Sequence, residues 1–132
     1  MDSFVANKLS EAIKPYLSIN QHGFVKGKSV LTNLLEYTDQ LSSELEEGGQ
    51  VDAIYMDFAK AFDRVNHNCL SMKLKHWKLS ERAIGWINSF VTNRTQKVKL
   101  GGFESNVIDV PSGVPQGSHC GPVLFCYSLM IS

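Results

Sequence analysis

The apolar positions of the chain fall into short blocks with different periods. Phe4, Val5, Leu9, Ala12 and Ile13 fall near one face of a helix, which predicts a helix over 3–14 with Pro15 as its stop. The stretch INQHGFVKGKS, residues 19–29, carries two glycines and reads as a loop. Ser29 then caps a second helix running to about Glu47, with Val30, Leu31, Leu34, Leu35, Leu41 and Leu45 as its apolar stripe. Gly48 and Gly49 break it. Residues 51–57 predict a strand, with Ile54, Tyr55 and Met56 buried and Asp57 at its end. Asn66 or Asn68 opens a helix through about Trp77, and Ser80, followed by Glu81, opens another through about Val91. TQKVKL, Gly101-Gly102 and FESNVIDV predict a β-hairpin. PSGVPQGS is a loop, and the apolar run after Pro122 predicts a last helix. The sum is an α+β fold: helices around a small, mostly antiparallel sheet.

Composition narrows the class. A chain of 132 residues is one domain or part of one, and 43% hydrophobic with 20% charged residues suits a globular protein. No apolar run approaches the ~20 residues of a membrane span, and the first residues lack the order of a signal peptide. Cys69, Cys120 and Cys126 form an odd set without a C-x-x-C, which reads as reduced thiols. The expected location is intracellular, nuclear or cytoplasmic, and not secreted. The four histidines show no zinc spacing.

Net charge is zero, but the charges are segregated. Residues 29–57 hold seven acids and no Lys or Arg, whereas residues 58–100 hold nine Lys or Arg against Asp63 and Glu81. Such asymmetry suits a basic face for phosphates, or a solvated helix surface.

Three stretches carry candidate chemistry. In DFAKAFD, a carboxylate at a strand end suits Mg²⁺, a hard cation that takes oxygen ligands. A two-metal site needs two or three converging carboxylates. Asp57 reads as a metal ligand or a cap, and Asp63 as a further ligand or a structural group. In PSGVPQGSHCGP, Gly113 and Gly117 allow close backbone approach to a ligand, and Gln116 both donates and accepts. Ser118 and the amides after it suit an anion at a helix start; an ordinary turn is the other reading. In QHGFVKGKS, Lys26 and Lys28 flank Gly27 beside Phe24, as a phosphate grip or a solvated loop. Read from residues alone, Asp57 and Asp63 suit a small Mg²⁺-dependent phosphoryl-transfer domain.

Together the three stretches resemble a reverse transcriptase of the non-LTR (LINE-like) retrotransposon type. QHGFVKGKS resembles the fingers motif QxGFRxGRS, and MDFAKAFDRVNH the palm motif DFxKAFDxVxH. NRTQKV, followed by SGVPQGS…GPVLF, resembles the segment leading into SGVPQGSxLGPLLF. Order and spacing agree from about residue 9 to 125, which argues against the generic phosphoryl-transfer reading.

The resemblance implies a single partial domain over 1–132. About 1–50 would be fingers-side helices and about 51–132 palm, lacking the Asp-Asp hairpin and thumb. It implies Asp57 as the catalytic, metal-binding aspartate, with the Phe58 carbonyl also on the metal. Phe62 would lie under the nucleotide sugar, Gln116 and Gly117 would line the nucleotide and template pocket, and Lys26 and Lys28 would sit near the template. Mg²⁺ is the implied cofactor; RNA template, DNA primer and deoxynucleoside triphosphates are the implied partners, with no membrane. His119 and Cys120 replace the usual aliphatic pair. The chain is expected to be a fragment of an RNA-directed DNA polymerase, inactive alone, or a catalytically dead nucleic-acid-binding relic. The strand over 51–57, without its partner hairpin, is expected to leave an open edge through which chains self-associate.

Overall fold

The computed structural model describes residues 2–130. The described residues form five helices: α1 Asp2–Ile13, α2 Val30–Glu46, α3 His67–His76, α4 Glu81–Val91 and α5 Cys120–Leu129. A 3₁₀ turn, Lys14–Tyr16, follows α1. Four short strands lie between α4 and α5: β1 Arg94–Gln96, β2 Lys99–Leu100, β3 Phe103–Glu104 and β4 Ile108–Val110. The α+β class holds. None of the described helices is long and apolar enough to cross a membrane.

Local chemistry sets most helix starts. The Asn66 side chain accepts from the Cys69 amide, and the Ser80 hydroxyl accepts from the Ala83 amide. Each satisfies one of the amides that a first turn leaves unpaired. Ser29 and Thr32 cap α2 reciprocally, backbone amide to side chain in both directions. Pro122 is tolerated inside α5 because it stands in the first turn, where its missing N–H costs nothing.

The strands form one long hairpin. Arg94 faces Val110 and Gln96 faces Ile108 in the outer ladder; Lys99 faces Glu104 and Leu100 faces Phe103 in the inner one. Gly101 and Gly102, both at positive φ, make its two-residue turn. Between the ladders one arm has Lys97 and Val98, the other Ser105, Asn106 and Val107, so the register shifts by one residue at a bulge. Ser105 fills it: its amide donates to the Val98 carbonyl and its hydroxyl accepts from the Val98 amide.

The core lies around α5, which packs against α1 and α3, while α3 also packs on α4. Leu9 and Ile13 of α1, Leu70 and Leu74 of α3, and Ile84, Ile87 and Val91 of α4 meet Leu124 and Tyr127. Six residues of α5 are buried on several of its sides, as befits a central helix. The Tyr127 hydroxyl donates to the Leu9 carbonyl, and the Lys73 ammonium donates to the Ser128 and Met130 carbonyls at the end of α5. A cation there favours the negative end of the helix dipole.

Two expectations fail. Residues 51–58 form no strand, and all are exposed; Ile54, Tyr55 and Met56 are 80–89% exposed. A strand takes its hydrogen bonds from a neighbour, and the four described strands pair only with one another. The open sheet edge expected as a self-association surface is therefore absent among the described residues. The segment is tied instead to α2, where the Tyr55 and Tyr37 hydroxyls lie 2.5 Å apart. The second failure is the α2 stripe: α2 buries no residue, and Val30, Leu31, Leu34, Leu35 and Leu45 are all exposed. Periodicity shows that one face can be buried, not that a partner face exists. What holds α2 is polar. His22, itself buried, donates from Nε2 to the Glu36 carboxylate at 2.9 Å, and its Nδ1 lies 2.9 Å from the Thr32 hydroxyl.

Candidate nucleotide site

The segment after Asp57 and the Gly-Pro loop before α5 are joined backbone to backbone. The Val114 amide donates to the Phe62 carbonyl at 2.9 Å, and the Gly113 amide to the Val65 carbonyl at 2.8 Å. The Ser112 hydroxyl donates to the Asp63 carbonyl at 2.7 Å. Gly113 has φ +85°, and a Cβ there would lie 2.8 Å from Asp63 Cα and from the Phe62 carbonyl oxygen. Glycine thus serves here for close chain-on-chain approach.

Two cationic or polar side chains clamp the same loop from behind. The Arg94 guanidinium donates to the Val91, Ser112 and Gly113 carbonyls. His67, at the start of α3, donates from Nε2 to the Gly113 carbonyl at 2.8 Å, a bond that fixes the proton on that nitrogen. Neither residue was singled out from sequence for this role. The available signals were the histidine closing DRVNH and the arginine in NRTQKV.

Phe62 is half-buried between two further rings. It stacks on Phe125 of α5 with centroids 4.9 Å apart and 27° between planes, and Phe24 meets it edge-on at 5.7 Å. Phe24 itself sits at φ +61°, an uncommon conformation for an aromatic residue. Gln116 donates from its amide nitrogen to the Asp63 carboxylate at 3.1 Å. Asp63, Arg94, Gln96, Ser112 and Gln116 help line a cleft of about 330 Å³ beside this junction. Gly117 turns at φ +79° with open space where a side chain would project.

The other sequence candidates lie apart from this junction or face solvent. Asp57 and Phe58 are exposed in the irregular 51–58 segment, Phe58 at 66%. Lys26 is exposed and lines a cleft of about 780 Å³ together with Phe24 and Lys14. The Lys28 ammonium donates to the Ile19 carbonyl, so it closes its own loop. The helix start expected to suit an anion already holds one. Asp2 accepts from the His119 amide at 2.9 Å and the Cys120 amide at 3.3 Å. These bonds, with that to the Cys120 thiol first among them, hold the Asp2 carboxyl below its ordinary range despite some burial. Burial, reinforced by Asp2, pushes the Cys120 thiol up to about 12.

Among the described residues no three His, Cys, Asp or Glu side chains converge on a point where a metal ion would sit. Asp57 and the Phe58 carbonyl therefore do not by themselves make a Mg²⁺ site.

Comparison with known proteins shows the family. No solved structure gives a significant match. A probable RNA-directed DNA polymerase from transposon X-element of Drosophila melanogaster is 31% identical over 107 residues, covering 81% of this chain and 12% of that protein. A probable RNA-directed DNA polymerase from transposon BS of the same species is 29% identical, covering 94% of this chain and 14% of that protein. A retrovirus-related Pol polyprotein from type-1 retrotransposable element R2 of Popillia japonica is 27% identical, covering 92% and 17%. The chain thus spans less than a fifth of the length of each of these relatives. The model of the family described as reverse transcriptase (RNA-dependent DNA polymerase) matches residues 1–130, so the chain belongs to that family, on the side of the non-LTR retrotransposons.

Proposed function

We propose that the chain forms one wall of the nucleotide and template site of an RNA-directed DNA polymerase. About residues 1–50 are the fingers side and about 51–132 the palm, the two meeting where α1 packs on α5. The observation that carries this reading is the junction of Phe62–Val65 with Ser112–Val114. Two stretches with the motif character of nucleotide handling are joined by backbone hydrogen bonds, and the Gln116 side chain reaches Asp63 beside Phe62. In this reading Phe62 takes the sugar side of the incoming deoxynucleotide, and its ring crowds a 2′-hydroxyl. Gln116 and Gly117 border the nucleotide and template, and Lys26 and Lys28 lie along the template phosphates. RNA template, DNA primer and deoxynucleoside triphosphate are the partners.

Mg²⁺ would neutralise triphosphate charge in such an enzyme. Asp57 and the Phe58 carbonyl offer two of the oxygens it needs, and the described residues do not complete the set. A second reading is a nucleic-acid-binding relic without catalysis.

One experiment separates the two. Residues 2–130 replace the matching segment of the transposon BS polymerase of Drosophila melanogaster. RNA-templated incorporation of deoxynucleotides, abolished by Asp57→Ala, is the expected result. A chimaera that folds and binds template but incorporates nothing establishes the relic.

A further inference from the structure

The apolar stripe of α2 faces solvent. At about 100° per residue, Val30, Leu34, Leu41 and Leu45 fall along one line of the helix, with Leu31 and Leu35 beside them. Five of the six are 53–77% exposed, and Leu41 is half-buried. Beside the stripe a groove of about 380 Å³ separates α2 from residues 50–53; Tyr37, Leu41, Glu44 and Asp52 help to line it. The Tyr55 ring meets Tyr37 edge-on at 6.3 Å and holds the following segment against the helix, with Ile54 and Met56 exposed. The capping box at Ser29–Thr32 and the His22–Glu36 bond fix the helix without burying any of its residues. The face is therefore presented already formed, which lowers the cost of docking. A contiguous exposed apolar surface of this kind marks an interaction site.

Charge selects the occupant. The same helical spacing puts Glu44 on one flank of the stripe and Asp39 and Glu46 on the other. Among the described residues none of these three carboxylates has an ion-pair partner, and residues 29–57 contain no Lys or Arg. An apolar stripe between unpaired carboxylates repels nucleic-acid phosphates and anionic lipid alike. It complements a helix whose own apolar stripe is flanked by cations, as charges across a coiled-coil seam do. We propose that α2 docks a basic amphipathic helix of a partner protein. Apolar side chains of that helix lie on Leu34, Leu41 and Leu45, and its lysines or arginines lie on Asp39, Glu44 and Glu46. The contact uses no group of the Phe62–Gly113 junction, so it is independent of the polymerase reading.

The test titrates the 132-residue chain into a fluorescein-labelled peptide as long as α2, with leucine at helical spacing on one face and lysine elsewhere. Anisotropy should rise to saturation, and hydrogen exchange should slow at the α2 amides but not at those of α4. A twin peptide with glutamate for lysine should bind at least about 10-fold more weakly. Leu34→Gln with Leu45→Gln keeps helix propensity and disturbs no buried position, and should weaken binding about 10-fold or more. Asp39→Asn with Glu44→Gln should weaken it about 2- to 10-fold at low salt and make it less sensitive to added salt. Met72→Gln, exposed on α3, should change neither readout. Equal binding of the two peptides, or an affinity indifferent to the leucine pair, overturns the proposal. Sedimentation that shows the free chain already paired through α2 also overturns it, because a second copy is then the occupant. So does a folded chimaera that no longer binds the lysine peptide, because the surrounding polymerase then covers the face.

Discussion

Gly113 lies against the backbone of Phe62 so closely that one added methyl group would stand 2.8 Å from the Phe62 carbonyl oxygen. Both sides of that contact are main chain, which cannot swing aside as a flexible side chain does. Gly113→Ala meets this overlap and a φ of +85° together. A left-handed non-glycine residue costs roughly 1–2 kcal/mol and overpacking about 1–3 more. The expected loss is about 2–5 kcal/mol, a large part of the ~5–15 kcal/mol that holds a domain. Gly101→Ala is the control, since its site is positive in φ but open. Urea denaturation of both variants checks the difference; equal losses would show that the contact is not tight.

Arg94 supplies the second support of the junction. Its guanidinium reaches three carbonyls, two of them in the loop that carries Gln116. Hydrogen bonds to a charged donor contribute about 1.5–3 kcal/mol. Arg94→Ala should cost that much, and Arg94→Lys should recover only part of it, because an ammonium lacks the planar fork. His67→Ala should loosen the same loop less. Hydrogen exchange at the Gly113 and Val114 amides reports both; exchange unchanged from the parent chain would remove Arg94 from this role.

The elements legible in the sequence are those whose cause is local. Asn66, Ser80 and Ser29 bond to amides three residues on, so their helices could be placed within a residue or two. Gly101-Gly102 fixed the hairpin for the same reason. What failed depended on a partner. The 51–57 segment has strand-like side chains, yet a strand exists only where another edge accepts its hydrogen bonds. The α2 stripe likewise lacks a facing surface. At the candidate site, Phe62 and Gln116 were readable as motif positions. Arg94 and His67 were not, because their common target is a single carbonyl far along the chain, and nothing in residue spacing encodes it.

The three thiols should divide by burial. Cys69 is exposed, whereas Cys120 and Cys126 are buried and their thiols are raised, burial being the first cause in each. A thiol reagent at pH 8 should titrate one cysteine in the native chain and three after guanidinium is added. The same burial sets an alkaline limit. Cys120 rises from 9.0 to about 12, and Tyr127, buried and facing Tyr16, from 10.0 to about 12. Both folded values exceed the unfolded ones, so this stability is complete below about pH 9 and is lost as pH climbs from 9 towards 12. Thermal melts should fall through that window, and Cys120→Ser should begin its fall later. A melting temperature flat from pH 9 to 11 would contradict the placement of both groups.

The proposed role of Phe62 at the nucleotide sugar can be separated from its packing by substitution. Its ring is packed between Phe125 and Phe24, so it belongs to the edge of the core whatever else it does. Removing a fully buried Phe side chain costs about 3–5 kcal/mol, and a half-buried one about half of that. Phe62→Ala in the 132-residue chain should therefore lose about 2 kcal/mol, and Phe62→Leu, which keeps most of the apolar volume, about 1 kcal/mol or less. In the chimaeric polymerase the same two variants should separate differently. On the proposed role, a leucine side chain would still crowd a 2′-hydroxyl and a methyl group would not, so only Phe62→Ala should relax the preference for deoxynucleotides over ribonucleotides. The readout is the ratio of kcat/KM for the two triphosphates, which cancels any common loss of folded enzyme. A ratio that Phe62→Ala leaves unchanged, alongside the stability loss, assigns the ring to packing alone and moves sugar selection to another residue.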